Sequence, residues 1–172
     1  IVIDAESGYV LSAKNPDKQL YPASLTKMMT LYMTFSAINN GTLRKNQRLS
    51  VSRHAAAQEP SDLGLQPGSS IRVEDAILGL VTKSANDAAV VLAEGIGGSE
   101  SSFARAMTTK AHELGMTNTR FLNASGLFNS SQVSTARDMA TLAVALMRDF
   151  PSEYRYFSTP RFTWAGRTFE NH

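Results

Sequence analysis

Residues 28–38 constrain the fold of this chain more than any other stretch, because they are apolar on nearly every side. Pro22 suits the first turn of a helix, where its missing N–H costs nothing, and Gly41 suits the position just past a helix end. The sequence therefore predicts a helix that begins near Pro22 and ends before Gly41. A helix without a polar face has to be buried, so we expect it to run through the centre of a domain.

Ser24 and Lys27 fall in the first turn of this predicted helix. Residues three apart on a helix project from one face, so the hydroxyl and the amine can come within hydrogen-bonding distance. Backbone N–H groups at a helix N-terminus also point towards developing negative charge. The pair therefore offers a nucleophile, a base and part of an oxyanion site. The alternative is a serine at a helix start beside a solvated lysine, and the expected burial of the helix argues against it.

Ser84 and Asn86 lie at a break between two predicted helices, at residues 73–82 and 88–96. Asn86 or Asp87 could act simply as the N-cap of the second helix, because both side chains accept hydrogen bonds from unpaired N–H groups. Taken alone, the Ser-x-Asn pattern favours that capping interpretation.

The rest of the pattern predicts strands at the two ends of the chain and helices in its middle. The predicted elements are strands at residues 1–5 and 9–13, helices at residues 101–114 and 134–151, and a hairpin at residues 161–169. Residues 42–70 read as irregular, with one short strand near residues 48–51. A loop region of this length beside the first helix could line a cleft.

Composition excludes several classes of function. The formal net charge is only +2 and the basic residues are scattered, so nucleic-acid binding is not indicated. No stretch approaches the roughly 20 apolar residues of a membrane span. The chain has no cysteine, and its three histidines accompany neither an H-E-x-x-H nor a G-x-S-x-G pattern. This argues against a zinc hydrolase and a Ser-His-Asp triad, and we predict no metal and no cofactor.

In combination, two motifs resemble those of the serine penicillin-recognising enzymes, whose set is S-x-x-K, S-x-N and K-T-G. The first is Ser24-Leu25-Thr26-Lys27, and the second is Ser84-Ala85-Asn86, about 60 residues later. Three further stretches are similar to the D-alanyl-D-alanine carboxypeptidases, the low-molecular-mass penicillin-binding proteins: residues 114–121, 123–127 and 134–140. The resemblance runs from the first residue to the last.

The resemblance implies an α/β fold of the α+β type, like that of the β-lactamases and transpeptidases. An antiparallel sheet made from both chain ends would pack against a helical region. Ser24 would be the nucleophile that attacks the penultimate D-alanine of a peptidoglycan stem peptide ending in D-Ala-D-Ala, and Lys27 would be its base. Ser84 would relay a proton to the leaving amine, and Asn86 would hold a backbone amide of the substrate. β-Lactam antibiotics would be trapped on Ser24, in the periplasm or on the outer face of the bacterial cytoplasmic membrane.

The family's third motif, Lys-Thr-Gly, does not occur in residues 1–172. We therefore expect one penicillin-recognising domain that is truncated before the strand carrying this motif, with an incomplete sheet and little activity. Membrane association would need a segment outside these residues. Three rival functions stay open. They are a β-lactamase, which needs an additional base such as a glutamate, a DD-endopeptidase that uses the same residues, and a non-catalytic penicillin-binding module.

Overall fold

The computed structural model describes residues 1–171. At its centre lies helix α1 (Thr26–Asn39), which follows a short 3-10 turn at Ala23–Leu25. The four consecutive residues 29–32 are all buried. Since four residues cover a full helical turn, α1 is surrounded on every side. The predicted buried central helix is confirmed.

Six further helices form within the described residues. They are α2 (Arg53–Ala56), α3 (Val73–Lys83), α4 (Asn86–Gly97), α5 (Glu100–Glu113), α6 (Ala136–Asp149) and α7 (Pro151–Tyr154). Helix α4 packs against α1, α2, α3 and α5, and its first eight residues are all buried. The four helices predicted beyond α1 are confirmed as α3 to α6, whereas α2 and α7 were not predicted. None of the helices in this part of the chain combines the length and the apolar character needed to cross a bilayer.

The N-terminus of α4 differs from the capping interpretation. Its N-cap is Ala85, which makes no side-chain capping hydrogen bond, so the N-cap position considered for Asn86 or Asp87 is wrong. Asp87 Oδ1 does accept from the Ala88 N–H in the first turn of α4, at 2.8 Å. The Asp87 carboxylate also accepts hydrogen bonds from the backbone N–H groups of Leu63 and Leu65, each at 3.0 Å. Both side chains therefore hydrogen-bond to residues far away in the sequence: Asn86 to Lys27, and Asp87 to Leu63 and Leu65.

Six short strands form three separate antiparallel pairs. These are β1 (Val2–Ile3) with β2 (Val10–Ser12), β3 (Arg48–Ser50) with β4 (Ser70–Arg72), and β5 (Arg161–Trp164) with β6 (Arg167–Glu170). Both hairpins predicted at the chain ends are confirmed. Within residues 1–171 these two hairpins do not hydrogen-bond to each other, so the expected sheet from both chain ends is incomplete.

The region between α1 and α3 is more ordered than the sequence predicts. Strand β3 is found where a strand was predicted, but its partner β4 and the helix α2 were missed. Leu49 of β3 lies opposite Ile71 of β4, and both side chains are buried in the core. Elements of three or four residues are too short to show a hydrophobic period, which explains why the sequence did not reveal them.

Candidate active site

Ser24 lies in the 3-10 turn that leads into α1, and it is exposed to solvent. The residue before it, Ala23, has a left-handed φ of 48°. Such a conformation is uncommon for a residue with a side chain and is often found at functional sites. The backbone N–H of Ser24 has no hydrogen-bond partner within residues 1–171. It is therefore available to bind an oxygen that carries negative charge.

The loop at residues 123–127 packs directly onto this turn. Gly126 has a φ of 88°, and a Cβ added there would lie 1.9 Å from the Ala23 carbonyl oxygen and 3.0 Å from the Ser24 nitrogen. No side chain fits in that space, so glycine is required for the close approach. The position of the Ala23–Ser24 peptide thus depends on this loop.

Lys27 is buried one turn further along, with 4% of its surface exposed. Its Nζ atom donates to Asn86 Oδ1 at 2.7 Å and to the Ser125 carbonyl at 2.6 Å, and it lies 3.4 Å from Ser24 Oγ. No carboxylate makes an ion pair with Lys27 within residues 1–171. Burial lowers the pKa of Lys27 from 10.5 to about 8, because the ammonium form loses its hydration.

The end of α3 places Ser84 close to Ser24. It is the C-cap residue of that helix and adopts the left-handed conformation, with φ 56° and ψ 39°. Its hydroxyl donates to Ser24 Oγ at 3.1 Å. The preceding carbonyl, that of Lys83, accepts a hydrogen bond from Ser61 Oγ at 2.7 Å, which ties this turn to the region before α3. Ser84 Oγ is therefore close enough to Ser24 Oγ to exchange a proton with it.

Asn86, the first residue of α4, is buried and contacts Lys27. Its Oδ1 accepts from Lys27, and its Nδ2 donates to the Glu59 carbonyl at 2.7 Å. Both polar atoms thus already have a partner inside the protein. The predicted contact of Asn86 with a substrate amide stays a prediction, and it would use the remaining N–H or lone pair of the side chain.

The four side chains named from the sequence lie close together in the structure, but the backbone group that supports them was not predicted. Ser24, Lys27, Ser84 and Asn86 form one hydrogen-bonded cluster. The contribution of Ser125 is a backbone carbonyl, which no side-chain pattern can reveal. Residues 123–127 had been singled out only for their family resemblance, and the glycine among them was the available signal.

Two of the three histidines have hydrogen-bond partners outside this cluster. His54 pairs with Glu100, with 2.6 Å between Nε2 and Oε2. His112 lies 3.1 Å from the Thr119 carbonyl. No group of three side chains suited to hold a metal occurs within residues 1–171. The third histidine, His172, lies outside the described residues.

Comparison with known proteins assigns the chain to a family. A family model described as D-alanyl-D-alanine carboxypeptidase, peptidase S11, matches residues 1–172. The chain belongs to this D-alanyl-D-alanine carboxypeptidase family. It is 37% identical over 163 residues to the carboxypeptidase DacF of Bacillus subtilis (strain 168), a match that covers 95% of this chain and 40% of DacF. The chain thus spans less than half the length of this relative.

Solved structures of family members agree with the fold. Penicillin-binding protein 5 of Haemophilus influenzae superposes with a TM-score of 0.94 at 35% identity, over 98% of this chain and 50% of that one. Penicillin-binding protein D2 of Listeria monocytogenes, solved with cefotaxime bound, superposes with a TM-score of 0.85 at 31% identity, over 98% of this chain and 69% of that one. The expected α/β fold of the penicillin-recognising type is confirmed.

Proposed function

We propose that this chain carries the nucleophile and base of a serine-type D-alanyl-D-alanine carboxypeptidase, which removes the terminal D-alanine from peptidoglycan stem peptides. The environment of Lys27 is the observation that carries the proposal. Lys27 is buried, has a pKa near 8 and has no carboxylate partner within residues 1–171, so it loses its proton far more easily than a surface lysine. Family membership and the 3.1 Å contact between the two serine hydroxyls support the same reaction.

The two acceptors around Lys27 suit a neutral amine. A neutral amine has two N–H groups and one lone pair, whereas the ammonium form has three N–H groups. Asn86 Oδ1 and the Ser125 carbonyl engage two N–H groups, at 2.7 and 2.6 Å. The remaining tetrahedral direction is left for the hydroxyl of Ser24, 3.4 Å away. Neutral Lys27 is therefore oriented to take the serine proton.

The reaction then follows in two stages. Lys27 takes the Ser24 proton, Ser24 Oγ bonds to the carbonyl carbon of the penultimate D-alanine, and negative charge develops on the carbonyl oxygen. The free N–H of Ser24 is one donor for that oxygen. The bond to the terminal D-alanine breaks, and the proton held by Lys27 reaches the leaving nitrogen through Ser84. Water then attacks the ester carbonyl and restores Ser24.

The second oxyanion donor and a cation for the substrate carboxylate are assigned to the family's Lys-Thr-Gly strand, which residues 1–172 do not contain. We propose that full carboxypeptidase activity needs a longer chain, which contains this strand in addition to residues 1–172. The length of the matching relative supports this, since only 40% of it is covered. Loss of one oxyanion donor typically lowers the rate by about 10²–10³.

The proposed partners follow from the reaction. They are a stem peptide ending in D-Ala-D-Ala and β-lactam antibiotics, which would acylate Ser24; cefotaxime is bound in the Listeria relative. We propose that the protein acts in the periplasm or on the outer face of the cytoplasmic membrane, because peptidoglycan lies there. A β-lactamase is disfavoured, because within residues 1–171 no carboxylate forms a hydrogen bond with Ser24, Lys27 or Ser84.

A fluorescent penicillin tests the proposal when it is combined with a D-alanine release assay on the complete gene product. We expect a stable adduct whose mass maps to Ser24, together with D-alanine release from a stem-peptide mimic. Ser24→Ala should abolish the adduct and leave the melting temperature nearly unchanged, because the side chain is exposed. Rapid turnover of the penicillin would indicate a β-lactamase. Cleavage of cross-linked peptides alone would indicate a DD-endopeptidase, and the absence of any adduct would indicate a non-catalytic module. An adduct on Ser84 would contradict the assignment.

A further inference from the structure

We propose that Glu100, the first residue of α5, is a positioning residue for Lys27 and acts through the loop at residues 123–127. This inference rests on the proposed function, because it concerns the orientation of the proposed base. Glu100 belongs to none of the motifs that the sequence analysis singled out. Its side chain makes no hydrogen bond to Ser24, Lys27 or Ser84 within the described part of the chain.

The carboxylate of Glu100 is held from two sides. Its Oε1 accepts a hydrogen bond from the Ala124 backbone N–H at 3.0 Å, and its Oε2 lies 2.6 Å from Nε2 of His54 on α2. Only 13% of the side chain is exposed. An acidic group in the first turn of a helix is also favoured by the helix dipole. Glu100 is thus a fixed bridge between α2, α5 and the loop.

The bridge reaches Lys27 through two adjacent residues, Ala124 and Ser125. Ala124 receives the contact from Glu100 on its N–H, and the next residue, Ser125, offers the carbonyl that accepts from Lys27 at 2.6 Å. The Ala124 carbonyl accepts from Thr30 Oγ1 on α1, at 2.7 Å. Planar peptides and fixed Cα spacing transmit a shift of Ala124 to the Ser125 carbonyl. Glu100 and α1 therefore hold this segment from opposite sides.

The remainder of the loop has its own anchors. Gln132 Oε1 accepts from the N–H groups of Leu122 and Asn123, at 2.8 and 3.1 Å. Asn123 Oδ1 accepts from the Gly126 N–H at 2.7 Å. Loss of the Glu100 carboxylate should therefore loosen Ala124 without unfolding the loop. The expected consequence is a misdirected lone pair on Lys27, and a displacement of about 1 Å in a catalytic group can cost 10²-fold in rate.

Three variants of the complete gene product separate positioning from general stability. Glu100→Ala removes the acceptor for Ala124, whereas Glu100→Gln keeps an oxygen at that place and removes the charge. Glu94→Ala is the matched control, because Glu94 is a half-buried glutamate on α4 whose Oε1 accepts from Ser52 Oγ at 2.9 Å and does not touch the loop. The measurements are the rate constant of acylation by fluorescent penicillin, thermal melting, and the 13Cε NMR signal of Lys27.

We expect Glu100→Ala to lower the acylation rate constant by about tenfold to hundredfold and to move the Lys27 signal. Glu100→Gln should stay within about threefold of the wild type. Glu94→Ala should leave both the rate and the Lys27 signal nearly unchanged. Equal losses in Glu100→Ala and Glu94→Ala, or equal losses in Glu100→Ala and Glu100→Gln, would overturn the inference. If the wild type itself formed no adduct, the proposed function would fail, and an unmoved Lys27 signal in Glu100→Ala would then refute the positioning role separately.

Discussion

Two buried ionisable side chains lie on neighbouring helices of the core, and their surroundings differ in kind. Lys27 of α1 is 4% exposed, and Asp87 of α4 is 1% exposed. The Asp87 carboxylate accepts from the backbone N–H groups of Leu63, Leu65 and Ala88, so its negative charge faces several donors. Each donor is a dipole whose positive end points at the charge. Asp87 therefore fastens the region before α3 onto the core.

Lys27 has hydrogen-bond partners, but no carboxylate within residues 1–171 makes an ion pair with it. Its two short contacts go to neutral oxygens, those of Asn86 and Ser125. Burial therefore acts on the ammonium ion without full compensation and lowers its pKa to about 8. Burial with matched donors stabilises the fold at Asp87, whereas burial without a counter-charge destabilises the ammonium form of Lys27 and would favour the proton transfer proposed for it.

Lys27→Arg tests directly whether Lys27 acts as a base. Arginine keeps the positive charge but stays protonated at any accessible pH, so it cannot accept the serine proton. We expect acylation by penicillin to fall by about 10²–10⁴, nearly as far as in Lys27→Ala. Lys45→Arg is the control, because Lys45 is half exposed and pairs with Glu153. More than about a tenth of the wild-type rate in Lys27→Arg, a loss below ~1.4 kcal/mol, would show that Lys27 acts only as a charge.

Asp87→Ala and Lys27→Met should change the free energy of unfolding in opposite directions. Asp87→Ala should lower the free energy of unfolding by about 3 kcal/mol or more, because it leaves buried N–H groups unpaired at roughly 1–3 kcal/mol each. Lys27→Met should raise it by about 1 kcal/mol at pH 7. The depressed pKa of Lys27 corresponds to ~3 kcal/mol, and the two acceptors that lose their donor offset part of this gain.

Urea unfolding at pH 7, followed by circular dichroism, measures both changes. The variants have to share one denaturant slope, so that the difference in midpoint reports stability. Similar destabilisation in both variants would mean that the two buried groups serve the same structural purpose.

The same contrast explains how far the sequence could predict the fold. The helices were found because apolar spacing and caps are local properties, as at Thr135, whose side chain accepts from the Asp138 N–H at 3.1 Å. Capping by Asn86 or Asp87 was a sound local hypothesis, yet contacts with residues far along the chain engage both side chains. A capping prediction from local sequence fails where a residue far along the chain offers the side chain more hydrogen bonds.

Some groups of the candidate site could be predicted from the sequence, and others could not. Ser24 and Lys27 were predicted from their spacing at the start of a helix, whereas Ser84 and Asn86 were assigned only from the family resemblance. The backbone oxygen of Ser125 and the bridge from Glu100 could not be predicted, since both depend on how the loop at residues 123–127 folds against α1 and α5.

The rate of acylation should also depend on pH. Only neutral Lys27 accepts the serine proton, so the rate should rise with pH and level off above the Lys27 pKa of about 8. Between pH 7 and pH 9 this amounts to roughly a tenfold increase. Stopped-flow measurement with a chromogenic β-lactam checks it. A rate that is flat between pH 6 and pH 9 would contradict a base with this pKa.

The linked effect on stability has a definite sign. The pKa of Lys27 is about 8 in the folded state and near 10.5 in the unfolded chain, so the folded state releases its proton first. Below about pH 8 both states are protonated, and the cost of burying the ammonium ion is constant. Between about pH 8 and 10.5 the unfolded state binds more protons, so the stability contributed by this site rises with pH. The advantage of Lys27→Met over the wild type should therefore be constant below pH 8 and shrink above it. An advantage that grew with pH would show that the protonated form is the one that the fold prefers.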